Sequence, residues 1–394
     1  MYNINMQTKV KTIIELKDFF ESKQTDELNL IIFDENGITF EGFQMIDFLT
    51  KNIDNLKDNV QNIIVTIPYE KLPKSQFKKF YNLYKKSASQ NRILNFCVKH
   101  FYREGFRDLE NDVYWDFETI LKANSSIDKV CSFLKSSGLS PLEMLAYIHD
   151  YVSTIAEYRW SQDENHGWHN KDQFFAGAYL KIPENVCMCQ STLMKEIIDN
   201  LNMPELQCEV ITVEFEQLAK HYIASHARCL VKIKDQKYGL DQVVFDDPTW
   251  DNDDNPHKYC HFAMPNNTHE KEANGLYLYF CPNKMVFSNQ KAKKEVVDLN
   301  PYYENYNNSK NQINQKMVET AYFNMLTKKY KNRSFEFIYK KLKKMAQNSF
   351  EEQTYRKFKG NLTQPDLIIL QNLQKSVEET NQLKTKNHKD DYLE

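Results

Sequence analysis

The chain has 394 residues, more than one ordinary core accommodates, which predicts two or three domains. Hydrophobic residues make up 41% and aromatics 13%, enough for packed cores. A formal net charge of −3 provides no global field toward nucleic acid or an anionic membrane, so neither is expected as a partner. Nine glycines against abundant lysine and asparagine favour helix-rich structure with few tight turns. The opening "MYNINMQTKVKTIIELKDFF" has no long apolar segment and no small-residue cleavage site. No stretch approaches the roughly 18–20 apolar residues of a membrane span. Eight scattered cysteines lack framework spacing and are expected to be reduced thiols. The composition therefore predicts a soluble, cytoplasmic protein.

Residues 1–125 alternate helix and strand signals. "KTIIELKDFFES" has helical apolar spacing at Ile13, Ile14, Leu16, Phe19 and Phe20. "LNLIIFD" and "NIIVTIPY" are short strand-type runs, the second stopped by Pro68. "FQMIDFLTKNIDNL" and "KSQFKKFYNLYKKSA" are helical, and "RILNFCVKHFY" reads as a strand. The alternation predicts a small α/β unit. Gly37, Gly42 and Gly105 stand alone, so no phosphate loop is visible, and a recognition or scaffold role is the reading for this region.

Residues 126–290 hold most of the unusual chemistry. "SPLEMLAYIHDYVSTIAEY" predicts a helix with Ser140 as N-cap, Pro141 in the first turn and Glu143 completing a capping box. Leu142, Leu145, Ile148, Val152 and Ile155 form its buried stripe, and His149 is read as a helix-face residue. After the polar loop "RWSQDENHGWHNKD", a second helix opens at "NVCMCQSTLMKEI". "QCEVITVEF", "HARCLVKI" and "KYGLDQVVF" follow as half-buried strands, the last two joined by a short turn near Lys234–Asp235. Residues 291–394 contain one glycine, Gly360, and three helical stretches, "NQKMVETAYFNMLTKKY", "SFEFIYKKLKKMAQ" and "PDLIILQNLQKSVEE". This predicts a helical C-terminal region with a frayed, polar end.

Candidate chemistry converges on Cys187. A thiol at a helix N-terminus meets free backbone N–H groups and the positive end of the helix dipole, both of which favour thiolate. A histidine beside it would pair with the thiolate and later serve as general acid, and a carboxylate would orient the ring. His226 opens the strand "HARCLVKI", and the returning strand carries Asp241 and then "DDPTWD". A turn near Lys234 places Asp241 at the level of Arg228, while Asp246 and Asp247 fall at or just past His226. Either Asp241 or Asp247 can then orient the histidine.

Four segments together resemble the transglutaminase-like domain of the papain-like cysteine superfamily, in its bacterial form. "LEMLAYIHDYVSTIAEY" resembles the helix before that core, which usually ends in tyrosine. "NVCMCQSTLMKEIIDNLNM" resembles the nucleophile helix, usually Val-Cys-x-Gly-Tyr. "SHARCLVKI" is similar to the His-Ala-Trp-Asn strand and "DDPTWD" to the Asp-Pro-Thr-Trp motif. The likeness covers about 130 residues and implies little about either terminal region. It implies an α+β fold: a nucleophile helix packed on an antiparallel sheet, flanked by the N-terminal α/β and C-terminal helical regions.

The resemblance also implies Cys187 as nucleophile and His226 as general base and acid. Motif identity points to Asp247 as orienter, and the family's spacing of about fifteen residues after the histidine points to Asp241. The implied activity is acyl transfer on peptide or protein amides through a thioester, with hydrolysis favoured over crosslinking and no cofactor or metal. Two departures, Cys189-Gln190 for Gly-Tyr and Arg228-Cys229 for Trp-Asn, leave a second expectation: an inactive module that binds a peptide or protein partner. Cys189 is read as buried filler. His257, Cys260 and His261 in "HKYCH" form a possible zinc cluster without a second half. Trp160, Trp168 and His169 are candidates to line an acyl site, and Trp250 to pack behind the aspartate.

Overall fold

The structure is a computed structural model. It describes residues 7–22, 25–34, 37–67, 72, 74–98, 113–155, 175–180, 186–217, 222–249, 251, 262–263, 269–272, 275–280, 284–287, 295–298, 313, 315–333 and 337. In chain order the elements are β1 (Gln7–Val10), α1 (Ile13–Glu21), β2 (Glu27–Ile31), β3 (Phe33–Asp34), β4 (Gly37–Ile38), α2 (Phe40–Asn52), β5 (Asn62–Ile67), α3 (Phe77–Ser89), β6 (Ile93–Val98), β7 (Val113–Asp116) and α4 (Phe117–Ser137). There follow α5 (Pro141–Ile155), a 3-10 turn at Phe175–Tyr179, α6 (Cys187–Leu201), β8 (Leu206–Gln217), β9 (Tyr222–Asp235), β10 (Leu240–Asp246), β11 (His269–Glu272), β12 (Gly275–Phe280), β13 (Lys284–Phe287), β14 (Glu295–Asp298) and α7 (Gln315–Lys329). The fold is α+β. No described helix is long and apolar enough to cross a membrane.

The N-terminal sheet runs β1-β2-β5-β6-β7. The first four strands are parallel and β7 is antiparallel to β6. Spatial order equals chain order, so crossovers of one hand stack α1, α2 and α3 on a single face. That face buries Leu28, Leu30, Ile63, Val65 and Phe96 against Leu16, Met45, Leu49, Phe80 and Leu83. On the other face Thr66 Oγ1 donates to Asn29 Oδ1 at 2.6 Å, which satisfies two polar groups that are both buried. Gly42 of α2 passes so close to the chain at Ile32 that a Cβ there would lie 2.3 Å from the Ile32 carbonyl oxygen.

Sequence reading missed α4. Asp116 ends β7 and caps α4, its Oδ1 accepting from the Thr119 N–H at 2.8 Å. Gly138, at φ 70°, closes the helix in the left-handed region. At its start Phe117 stacks on Tyr84 and Phe96 of the N-terminal unit. At its end Cys131 Sγ donates to the Ile197 carbonyl at 3.5 Å and Lys135 Nζ to the Asn200 carbonyl at 2.9 Å. The boundary expected between residues 125 and 126 therefore falls inside one unbroken helix.

The second sheet is antiparallel, in the order β10-β9-β8-β12-β11. Helix α6 packs on β8 and β9 through the stripe Leu193, Met194, Ile197, Ile198 and Leu201. Helix α5 begins as expected at Pro141, but only half of the capping box forms. The Ser140 N–H donates to Glu143 Oε2 at 2.9 Å, whereas Ser140 Oγ has no hydrogen-bond partner among the described residues. Its place is taken from a distance: the Leu142 N–H donates to Asp235 Oδ2, from the β9–β10 hairpin, at 2.8 Å. Glu143 Oε1 meanwhile accepts from Lys237 Nζ, the Tyr238 hydroxyl and Asn324 Nδ2. Asn324 belongs to α7, which packs on α5 with Ala321, Phe323, Met325 and Leu326 buried and Lys329 paired to Asp150 at 2.5 Å. The other two C-terminal helical stretches lie outside the described residues, apart from Phe337.

Candidate active site

Cys187 is the first residue of α6, after an extended Val186 at the N-cap. Of the six described cysteines, five are buried and Cys187 is half-buried. The apolar stripe of α6 anchors the helix in the core and leaves its first turn at the rim. Cys189, two residues on, is fully buried, in agreement with its reading as filler. Gln190 is also fully buried, and neither of its amide atoms has a hydrogen-bond partner among the described residues.

His226 lies on β9, opposite Val213 of β8. Its Nε2 is 2.6 Å from Asp247 Oδ2. Cys187 lies close enough to the same ring to act on its charge, and with Nε2 on Asp247 the nitrogen placed to face sulfur is Nδ1. Burial pulls the basicity of His226 down. The Asp247 charge and hydrogen bond, with Cys187 behind them, more than reverse this and raise its pKa to about 10. Asp247 itself is fully buried. Arg228, two residues along the same strand, has its Nε 3.7 Å from Asp247 Oδ2 and its guanidinium over the Phe245 ring at 5.0 Å. Arg228 thus supplies a second cation to the same carboxylate.

The structure separates the two candidate aspartates. The ladder begins at Leu240↔Asp235 and runs without a bulge to Asp246↔Cys229. The level of Arg228 is therefore reached at residue 247, and Asp241 stands opposite Lys234. This corrects the expected register. The turn occupies residues 236–239, with Gly239 at φ 66°, later than the expected Lys234–Asp235. Asp241 is 59% exposed and pairs with Lys234 at 3.4 Å. It lies six residues from Asp247 along extended chain, roughly 20 Å. Cys187, His226 and Asp247 come together, and Asp241 does not join them.

Adjacent strand residues point to opposite faces. Asp247 turns to His226, and Asp246 turns the other way, into the core, to His149 of α5. His149 Nδ1 is 2.7 Å from Asp246 Oδ1, and its Nε2 is 3.2 Å from Asp251 Oδ2. All three side chains are fully buried. The Ala263 N–H donates to Asp246 Oδ2 at 3.0 Å, and Phe262 meets the imidazole edge-on. Burial opposes protonation of His149, and the Asp246 and Asp251 carboxylates overcome it, leaving a pKa of about 10. Burial raises the pKa of Asp246.

Sequence reading missed this second histidine–aspartate pair. One signal was available: His149 sits four residues after Leu145 and one after Ile148, at the edge of the buried stripe, and a buried imidazole needs partners for both nitrogens. Trp160, His166, Trp168, His169, Trp250 and the possible zinc ligands His257, Cys260 and His261 lie outside the described residues. Among the described residues no group of His, Cys, Asp and Glu is arranged to hold a metal ion. No family model matches the sequence, and no curated protein matches it significantly.

Proposed function

We propose that the protein is a cysteine-dependent acyl-transfer enzyme of transglutaminase-like type, acting on peptide or protein amides. One observation carries the reading: the His226 imidazole is held between a half-exposed thiol at a helix N-terminus and a buried carboxylate. The imidazole takes the thiol proton, and the Cys187 thiolate attacks the amide carbonyl carbon, forming a C–S bond. Backbone N–H groups in the first turn of α6 are oriented to meet the developing oxyanion. The His226 imidazolium gives its proton to the leaving amine as the C–N bond breaks, and a thioester remains. Neutral His226 then takes a proton from water, whose oxygen attacks the thioester. The C–S bond breaks, the acid is released and the thiol is restored. An acceptor amine in place of water gives a crosslink. Hydrolysis is favoured by analogy with the bacterial family alone. Asp247 fixes the ring so that Nδ1 faces sulfur, and its charge stabilises the imidazolium.

The test is alkylation with iodoacetamide near pH 6, where ordinary thiols are slow, with the modified cysteine located by mass spectrometry. Cys187 reacts ahead of a free thiol, and the reaction slows about tenfold or more in His226→Ala. If Cys187 reacts no faster than a free thiol and does not slow in that variant, the activated pair is absent and the proposal fails.

A further inference from the structure

We infer that Arg228 is a positioning residue that acts through Asp247: it takes a share of the carboxylate oxygen that His226 uses, so that the ring gives up its proton once the thiol is acylated. The inference rests on the acyl-transfer reading above and deepens it, because it ties the second step of that reaction to a residue of its own.

His226 and Arg228 are two residues apart on β9 and therefore point to the same face. Both reach one atom. His226 Nε2 is 2.6 Å from Asp247 Oδ2, and Arg228 Nε is 3.7 Å from the same oxygen. The first contact is a hydrogen bond and fixes the ring; the second is longer and acts through charge. The Arg228 side chain is 1% exposed and that of Asp247 0%, so water screens this pair little. The Phe245 ring, 5.0 Å from the guanidinium, braces it in place. Across the ladder β8 sets Ile211 opposite Arg228 and Val213 opposite His226, neither of them titratable. Glu209, a diagonal step from Arg228, pairs with Lys195 of α6 at 3.1 Å. Asp246 turns to the other face and His149, and Cys187 approaches His226 from α6.

The two steps of the reaction ask opposite things of His226. In the first, an imidazolium stabilises the thiolate and donates to the leaving amine. In the second, sulfur is acylated and uncharged, and the ring has to be neutral to take a proton from the attacking water. A buried carboxylate with one cationic partner draws a proton back onto that partner. Arg228 opposes this return with a charge that stays fixed through both steps, because a guanidinium does not lose its proton in a protein. Two unit charges about 6 Å apart, at an effective dielectric of about 20, alter proton affinity by about two pH units.

The experiment follows the His226 ring by NMR titration of the full chain labelled at histidine nitrogen, with His226→Ala used for assignment. It is run in a Cys187→Ala background, which leaves no thiolate beside the ring. Arg228→Met and Arg228→Gln remove the charge in two ways, and Arg228→Lys keeps it. Cooperative urea unfolding checks that each variant is folded. The His226 midpoint rises by about one pH unit or more in the two neutral variants and stays within about 0.5 pH unit in Arg228→Lys. With Cys187 restored, p-nitrophenyl acetate serves as the acylating probe. Arg228→Met keeps the burst of p-nitrophenol and slows the steady rate that follows about tenfold at about pH 7, since each pH unit of rise leaves a tenth of the neutral ring. Lost packing alone would loosen the carboxylate and lower the midpoint. A midpoint that falls, or stays within about 0.3 pH unit, in a folded neutral variant therefore overturns the inference. A wild-type chain that gives no burst, beside a midpoint that rises in the neutral variants, sinks the enzyme reading alone and upholds the action of Arg228 on His226.

Discussion

Between about pH 7 and about pH 9 the folded chain keeps protons that the unfolded chain has released, so rising pH favours the unfolded chain. His149 and His226 are buried, and their carboxylate partners outweigh burial to place both near 10, against an ordinary 6.5. Below about 6.5 both states carry the proton, and the stabilisation from the ion pairs is fully present. Above it the unfolded chain releases first, and the stabilisation is lost progressively as pH rises through about 10. One excess proton lowers stability by about 1.4 kcal/mol per pH unit. His149 contributes one. His226 adds up to one more, which brackets the slope at about 1.4–2.7 kcal/mol per pH unit. Two pH units then remove about 2.5–5 kcal/mol, comparable with the whole stability of a marginal domain. Asp199, raised to about 7 by burial against the opposing pull of Lys195, has the same sign at lower pH. Urea unfolding followed by tryptophan fluorescence at three pH values and constant ionic strength measures this as a falling midpoint at constant m. A midpoint that is flat or rises between pH 7 and 9 would refute the assignment of charged, buried histidines.

Asp241→Asn leaves stability within about 0.5 kcal/mol and Cys187 alkylation unchanged, because its pair with Lys234 is exposed. Asp247→Asn slows that alkylation about tenfold or more; equal effects from the two variants would contradict the strand register. Glu143→Ala removes the acceptor shared by the Ser140 N–H, Lys237, Tyr238 and Asn324. It is expected to cost about 2–4 kcal/mol by urea unfolding, with the half-exposed Lys237 contributing least. Gly42→Ala forces a methyl against the Ile32 carbonyl and is expected to cost about 1–3 kcal/mol, seen as a lowered thermal midpoint.

Where local pattern decides structure, the sequence was legible. The apolar spacing of Leu16 and Phe19, the β-branched run of β5 and the stripe of α6 each form the element their period implies. The helix start at Cys187 was legible for the same reason. The register of Asp241 was not, since one misplaced turn moves every later partner, and the turn "QKYG" has no stronger signal than its neighbours. The capping of α5 was half wrong because the competing acceptor, Asp235, comes from 93 residues away. Helix α4 was missed although Asp116 and Gly138 mark its ends, because its polar residues Asn124, Ser125 and Ser126 blur the stripe. Asn124 is in fact buried, accepting from the Leu72 N–H at 3.0 Å. The His149 cluster joins residues about a hundred positions apart, and only the fold reveals which aspartate faces which histidine.

Helix α4 has a mechanical meaning beyond its sequence. Its 21 residues make a rod about 30 Å long, rooted at one end in the aromatic packing of the parallel sheet and at the other against the helix that begins with Cys187. A chain divided within it would expose Ile120 and Ala123 on one fragment and Ile127, Val130 and Leu134 on the other. The connection behaves as a strut and not as a hinge: a force or a binding partner that shifts the edge of the N-terminal sheet is delivered, almost without slack, to the back of α6.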